Sequence, residues 1–254
     1  MHGEDTYPTK LLDAVEVIAT IERAVKAKSP KVDGQVPDDV LGIIVALAIA
    51  IDAKDPCTHG HSVWVAKYAA ATAEQLKLEP QEIENVVYAG LLHDIGKIGI
   101  SEEILHKPGV LNMEEWEEIR AHPIIGAKIL EPIPLLHDLV PLVRYHHERY
   151  DGTGYPEGLA GERIPLGARI LAVADAFEAM TTGRPYSQAR YPAHALAILV
   201  EGMGRQWDAK VVEAFVSVLD GEQPYPIIPP IMGEQEILRL KVPQELDKTS
   251  KFVI

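Results

Sequence analysis

Seven histidine and aspartate side chains, spread over five separate segments, limit what this chain can become. His61 lies in Thr58-His59-Gly60-His61-Ser62, and His93-Asp94 lie in Gly90-Leu91-Leu92-His93-Asp94-Ile95-Gly96-Lys97-Ile98-Gly99. His122 follows in Arg120-Ala121-His122-Pro123, then the pair His146-His147, then Asp175 in Leu171-Ala172-Val173-Ala174-Asp175-Ala176. A His-Asp pair in one apolar helix, taken alone, is more often a hydrogen-bonded core pair. So many buried imidazoles, however, would need many buried partners. Imidazole nitrogen and carboxylate oxygen are both ligands for borderline divalent metals, and the two oxygens of Asp94 could bridge two ions. Helical bundles build dinuclear centres in this way, each facing helix giving one or two ligands. Lys97, four residues after His93, shares its face if the segment is helical, where its ammonium could meet an anionic substrate.

The rest of the pattern is nearly all α. Apolar positions at helical spacing predict a helix from Lys10 to about Lys28, broken by Ser29-Pro30. Pro37-Asp38-Asp39 starts a second helix over the apolar run Val40–Ile51, which Pro56 ends. Further helices are expected at about His61–Leu76, from Pro80 to the glycines after Asp94, and from Asn112 onward with His122-Pro123 near its middle. Another should cross Leu135–His147 with Pro141 as a kink. The glycine- and proline-rich stretch Tyr150–Gly167 should be a long ordered loop. Helices at about Leu166–Thr181, Ala193–Gly202 and Ala209–Leu219 follow. Gln223–Pro230, with four prolines, is an extended excursion, and 237–242 alternates weakly, as a short strand or arm would.

These residues, in this order, resemble the HD-GYP phosphodiesterases. Gly154-Tyr155-Pro156 closes the loop after the double histidine, and Leu105-His106-Lys107-Pro108-Gly109, Arg163-Ile164-Pro165-Leu166 and Arg184-Pro185-Tyr186 extend the likeness from about Leu47 to about Phe215. The resemblance implies an all-α, compact multi-helix HD-domain bundle with a dinuclear metal site in its core. It divides the chain into an N-terminal helical extension (1–38), a catalytic domain (39–222) and an extended proline-rich tail (223–254). It implies one ion on His61, His93, Asp94 and Asp175, and a second on Asp94, His122, His146 and His147, with Asp94 bridging. Iron or manganese is favoured by the resemblance, and the nitrogen and oxygen ligands suit zinc or nickel as well.

A water shared by two such ions becomes hydroxide near neutral pH and can attack a phosphodiester in line. By resemblance, Asp94 and Lys97 are the catalytic pair, Lys97 and Arg184 hold phosphate, and Tyr155, Gly154 and Asp151 wall the substrate pocket. The implied reaction is hydrolysis of cyclic di-GMP to linear pGpG, which a second hydrolysis could take on to GMP. The alternatives are another cyclic dinucleotide, such as cyclic GMP-AMP, or a weakly active cyclic di-GMP sensor that docks diguanylate cyclases through the Tyr155 loop. The chain departs from the family at Ser187, where a second basic residue is usual, at Trp64 in place of an arginine, and at Ser101 in place of a proline. Cys57 stands where some members carry a glutamate for a third metal, so two ions are expected. His59 could serve as an extra ligand but reads better as a surface histidine, and His2, His106, His137 and His194 match no ligand position and read as ordinary.

A formal charge of −14 argues against a DNA or RNA partner, which would call for a basic face. Bound cations reconcile that acidity with an anionic substrate. A single cysteine permits no intrachain disulfide, no signal peptide is apparent, and the longest apolar run is far short of the roughly 20 residues of a membrane span. A cytoplasmic protein is expected, and the N-terminal helix with the short apolar helix suggests a homodimer.

Overall fold

The computed structural model describes residues 38–55, 60–182 and 190–220. Outside them lie the expected 10–28 helix, Cys57, His59, Arg184, Ser187, the proline-rich excursion and the 237–242 segment. The described residues are helical, with no β-strand among them beyond the isolated bridges Asp151–Ala160 and Met203–Trp207. Among the described residues ten α-helices run in order: α1 (Asp38–Lys54), α2 (His61–Gln75), α3 (Pro80–Leu92), α4 (Glu102–Leu105), α5 (Met113–Arg120), α6 (His122–Leu130), α7 (Val140–Tyr145), α8 (Leu166–Thr182), α9 (Pro192–Glu201) and α10 (Ala209–Asp220).

Around the middle of the bundle, α2 packs on α3 and α8, and α10 crosses both α2 and α8. Tyr68, Phe177 and Phe215 bring these last three helices together, their ring centroids 5.0–5.8 Å apart. Gly90 lets α3 lie directly on α2, since a Cβ there would meet the Ala66 Cα at 2.8 Å. α1 buries Ile44, Ala48 and Ile51 and leaves Ile43 and Leu47 exposed, so the apolar run is half core and half surface.

Two expected helices are each divided. Pro123 lacks an N–H and cannot continue a helix from α5, so the chain turns at Ala121 and α6 starts at His122. His122 is therefore a first-turn residue rather than a mid-helix one. Pro141 likewise sits in the first turn of α7, preceded by a 3-10 segment Pro134–Leu139, so it opens a helix instead of kinking one. Lys97 lies in a 3-10 turn, Ile95–Gly99, not on a continuation of α3.

The N-terminus of α2, which carries His61, is fixed by Asp52 of α1. Gly60 takes the left-handed conformation (φ 77) as the residue before the helix. Its N–H donates to Asp52 Oδ2 at 3.0 Å, and the Ser62 hydroxyl donates to Oδ1 at 2.7 Å. Burial pushes the Asp52 carboxyl up to about 6, Asp94 adding to the rise while Ser62, His61 and Gly60 oppose it. Unfolded aspartate titrates at about 3.9, so the fold holds this proton more tightly than the unfolded chain does. That contribution is fully present below about pH 4 and is lost as the pH climbs through about 6. In metal-free protein, Asp52→Asn should therefore gain about 3 kcal/mol relative to the parent between about pH 4 and pH 7.5. Denaturant titrations at the two pH values measure this, and a difference that stays flat with pH contradicts it.

Candidate metal centre

Three of the histidines sit at helix ends, where backbone carbonyls are left over. His93 follows α3, His146 follows α7, and His122 begins α6. In each, Nδ1 donates to the carbonyl three residues upstream: Gly90 at 2.8 Å, Ile119 at 2.7 Å and Val143 at 2.7 Å. Proline at 123 has no N–H to offer Ile119, and the imidazole of His122 takes that oxygen instead. Such bonds fix the ring orientation and turn every Nε2 towards one centre.

The structure brings all seven side chains together in two adjoining groups. In the first, His61 Nε2 lies 3.3 Å from His93 Nε2 and 3.2 Å from Asp175 Oδ1, and His93 Nε2 lies 3.5 Å from Asp94 Oδ2. In the second, His122 Nε2 lies 3.4 Å from His146 Nε2 and 3.3 Å from Asp94 Oδ1, with His147 close by. Asp94 thus turns one oxygen to each group. Ligand atoms about 2.1 Å from a common ion stand about 3–3.5 Å from each other, so this spacing fits two divalent cations.

Protonation favours coordination at five of the seven. Burial alone would raise the Asp94 carboxyl, but Lys97 and the surrounding imidazoles hold it well below the usual carboxylate range. Asp175 is likewise held well below the usual carboxylate range against its burial, chiefly by the hydrogen bond from His61. Burial and neighbouring imidazoles push His146 well down and His147 down to about 3, and burial lowers His122, leaving these three neutral. His61 differs. Burial would lower it, yet the carboxylates of Glu178 and Asp175 lift it to about 10.

Around this centre lie residues that the sequence did not single out. Glu178, one turn beyond Asp175 on α8, takes the Nδ1 edge of His61. Asp55 and Asp94 share the Lys97 ammonium, at 2.9 and 2.8 Å. Burial would lower Lys97, but these two carboxylates raise it, so it remains an ammonium. Arg120 lies 5.1 Å over the Tyr155 ring, and the imidazole of His147 lies 4.9 Å from it.

The Tyr155 loop is tied to the double histidine by backbone. A Cβ on Gly154 would meet Arg149 N at 2.3 Å, the Tyr155 N–H donates to His147 O, and Glu148 Oε1 accepts from Glu157 N. Tyr155 is therefore placed beside the second group, and Gly154 serves the close approach. Asp151 spends its carboxylate on its own loop, accepting from Thr153 N and Oγ1 and pairing with Arg149. Trp64 lies against Tyr68, with the Lys67 ammonium 4.4 Å over its ring.

Comparison with known proteins agrees with this architecture. The HD domain family matches residues 46–211. The cyclic di-GMP phosphodiesterase response regulator RpfG of Xanthomonas campestris is 41% identical over 172 residues, covering 67% of this chain and 46% of that protein. A 3′3′-cGAMP-specific phosphodiesterase of Vibrio cholerae is 39% identical over 178 residues, covering 70% of this chain and 39% of the other. The chain thus spans less than half the length of these two relatives. A crystal structure of a cyclic GMP-AMP specific phosphodiesterase from V. cholerae superposes with a TM-score of 0.59 at 19% identity, over 71% of this chain and 48% of that one, a likeness of fold.

Proposed function

This chain belongs to the HD domain family, and from that premise we propose that it is a metal-dependent phosphodiesterase acting on cyclic di-GMP, with residues 39–222 as its catalytic domain. The observation that carries the proposal is the convergence of His61, His93, Asp94, His122, His146, His147 and Asp175 into two groups sharing Asp94. Two divalent cations held there would supply Lewis acidity and an acidified water as nucleophile; iron or manganese is the favoured pair. Lys97 keeps its positive charge between Asp94 and Asp55 and is assigned the role of balancing charge that builds on the phosphoryl oxygens. Tyr155, held between His147 and Arg120, walls the substrate pocket beside the second position together with Gly154 and Asp151. Arg184 is assigned a phosphate contact from its motif alone.

A second reading, cleavage of a mixed cyclic dinucleotide, is favoured by the V. cholerae relative named for 3′3′-cGAMP. One experiment separates the two. Protein purified anaerobically should carry two divalent ions per chain and convert cyclic di-GMP to pGpG, losing turnover on chelation and regaining it with Mn(II). Turnover of 3′3′-cGAMP alone moves the substrate assignment, and intact binding of cyclic di-GMP without metal or turnover makes the protein a sensor.

Two partner readings accompany this one. We propose a second copy of the chain as a partner, on the exposed Ile43 and Leu47 face of α1, and a diguanylate cyclase as a partner docking through the Tyr155 loop. No helix among the described residues is long and apolar enough to cross a membrane, and a cytoplasmic location suits a nucleotide-signalling enzyme.

A further inference from the structure

The two candidate cation positions differ in what stands behind their ligands. His93, His122 and His146 turn Nδ1 to neutral backbone carbonyls, whereas His61 turns Nδ1 to the carboxylate of Glu178. Asp175 and Glu178, three residues apart on α8, grip opposite edges of one imidazole: Asp175 Oδ1 lies at Nε2 and Glu178 Oε2 at Nδ1. Glu178 is buried, and its other oxygen accepts from the Thr182 hydroxyl at 2.6 Å, so its carboxylate is held in place. The first position therefore has two ligating carboxylates and a third behind His61. The second has one oxygen of Asp94 and three imidazoles.

We infer that Glu178 is a positioning residue that makes the His61–His93–Asp94–Asp175 position the tighter of the two, so that it fills first. This inference rests on the dinuclear reading above. A carboxylate behind a histidine raises the basicity of the coordinating nitrogen and fixes the ring, and loss of such a partner typically weakens metal binding about 10–100-fold. A cation also feels the excess negative charge at the first position directly. The competing account is an ion triad that holds α2 to α8 and does nothing for a metal.

The test is Mn(II) titration of chelator-stripped full-length protein, followed by calorimetry and by the electron paramagnetic resonance signal of free Mn(II). The parent should show a tight and a weak class of site. Glu178→Gln keeps the side-chain volume and an acceptor oxygen for Nδ1 but removes the charge. It should weaken the tight class about 10–100-fold and leave the weak class within about threefold. His122→Ala should remove the weak class alone, which assigns the two. Glu178→Gln with both classes unchanged, or with both weakened together, overturns the inference. So does a parent with two ions of equal affinity. A parent that binds no Mn(II), iron or zinc sinks the hydrolase reading itself. Circular dichroism of the metal-free variants confirms that folded proteins are being compared; should Glu178→Gln not fold, the competing triad account stands and the inference falls.

Discussion

Asp94→Asn should cut phosphodiester turnover by at least about a thousandfold, the equivalent of about 4 kcal/mol of transition-state stabilisation. The expectation follows from the two directions in which this carboxylate points. Oδ1 faces His122 Nε2 at 3.3 Å, while Oδ2 faces His93 Nε2 at 3.5 Å and the Lys97 ammonium at 2.8 Å. An amide has one oxygen, and its NH₂ group would turn hydrogens towards one of the two candidate cation positions. Whichever way it flips, one position loses a ligand, and both lose a negative charge that serves them jointly. The amide is nearly the same size, so the core should repack little. Lys97 keeps Asp55, 2.9 Å away, which limits the cost of leaving a buried cation half paired. Metal analysis should accordingly find fewer than two ions in a folded variant. Retention of both ions with more than a tenth of parental turnover would show that the two oxygens of Asp94 do not serve two ions.

The seven candidate ligands could be picked out from sequence because their motifs and order resemble the HD-GYP pattern; side-chain chemistry alone does not separate them from His59 or His106. The features that tune them could not. Glu178 in Asp175-Ala176-Phe177-Glu178 reads as an ordinary acid on a helix; its burial depends on α2 arriving beside α8, about 115 residues away in sequence. Asp55 is hidden for the same reason, its partner Lys97 lying 42 positions on. By contrast, the break between α5 and α6 was written in Pro123, and the rule that a proline opens helices more readily than it continues them would have divided both the Asn112 and the Leu135 helices correctly. The stack of Arg120, Tyr155 and His147 joins three segments and has no local signature at all.

The largest effect on folding is expected at Gly96, inside the motif that carries His93, Asp94 and Lys97. A Cβ there would lie 1.9 Å from the His122 carbonyl oxygen, 2.8 Å from its carbonyl carbon and 2.6 Å from Gly126 N. All three are backbone atoms of α6 or its first residue, so no rotamer change can clear them. The 3-10 turn would have to separate from α6, and α6 begins with His122, so the second candidate cation position would open with it. Backbone displacement of this kind places Gly96→Ala among substitutions costing more than about 4 kcal/mol, against a typical total stability of 5–15 kcal/mol. For a domain of this size that is a fall in Tm of roughly 10 °C or more. Gly99→Ala is the control three residues away: its Cβ would meet the Ile125 side chain at 3.1 Å, which can shift. It should cost under about 1 kcal/mol. Thermal and denaturant melts of the two metal-free variants decide the matter. If Gly96→Ala melts within a few degrees of Gly99→Ala, the turn and α6 are not locked together, and His122 must be held in place by something other than this contact.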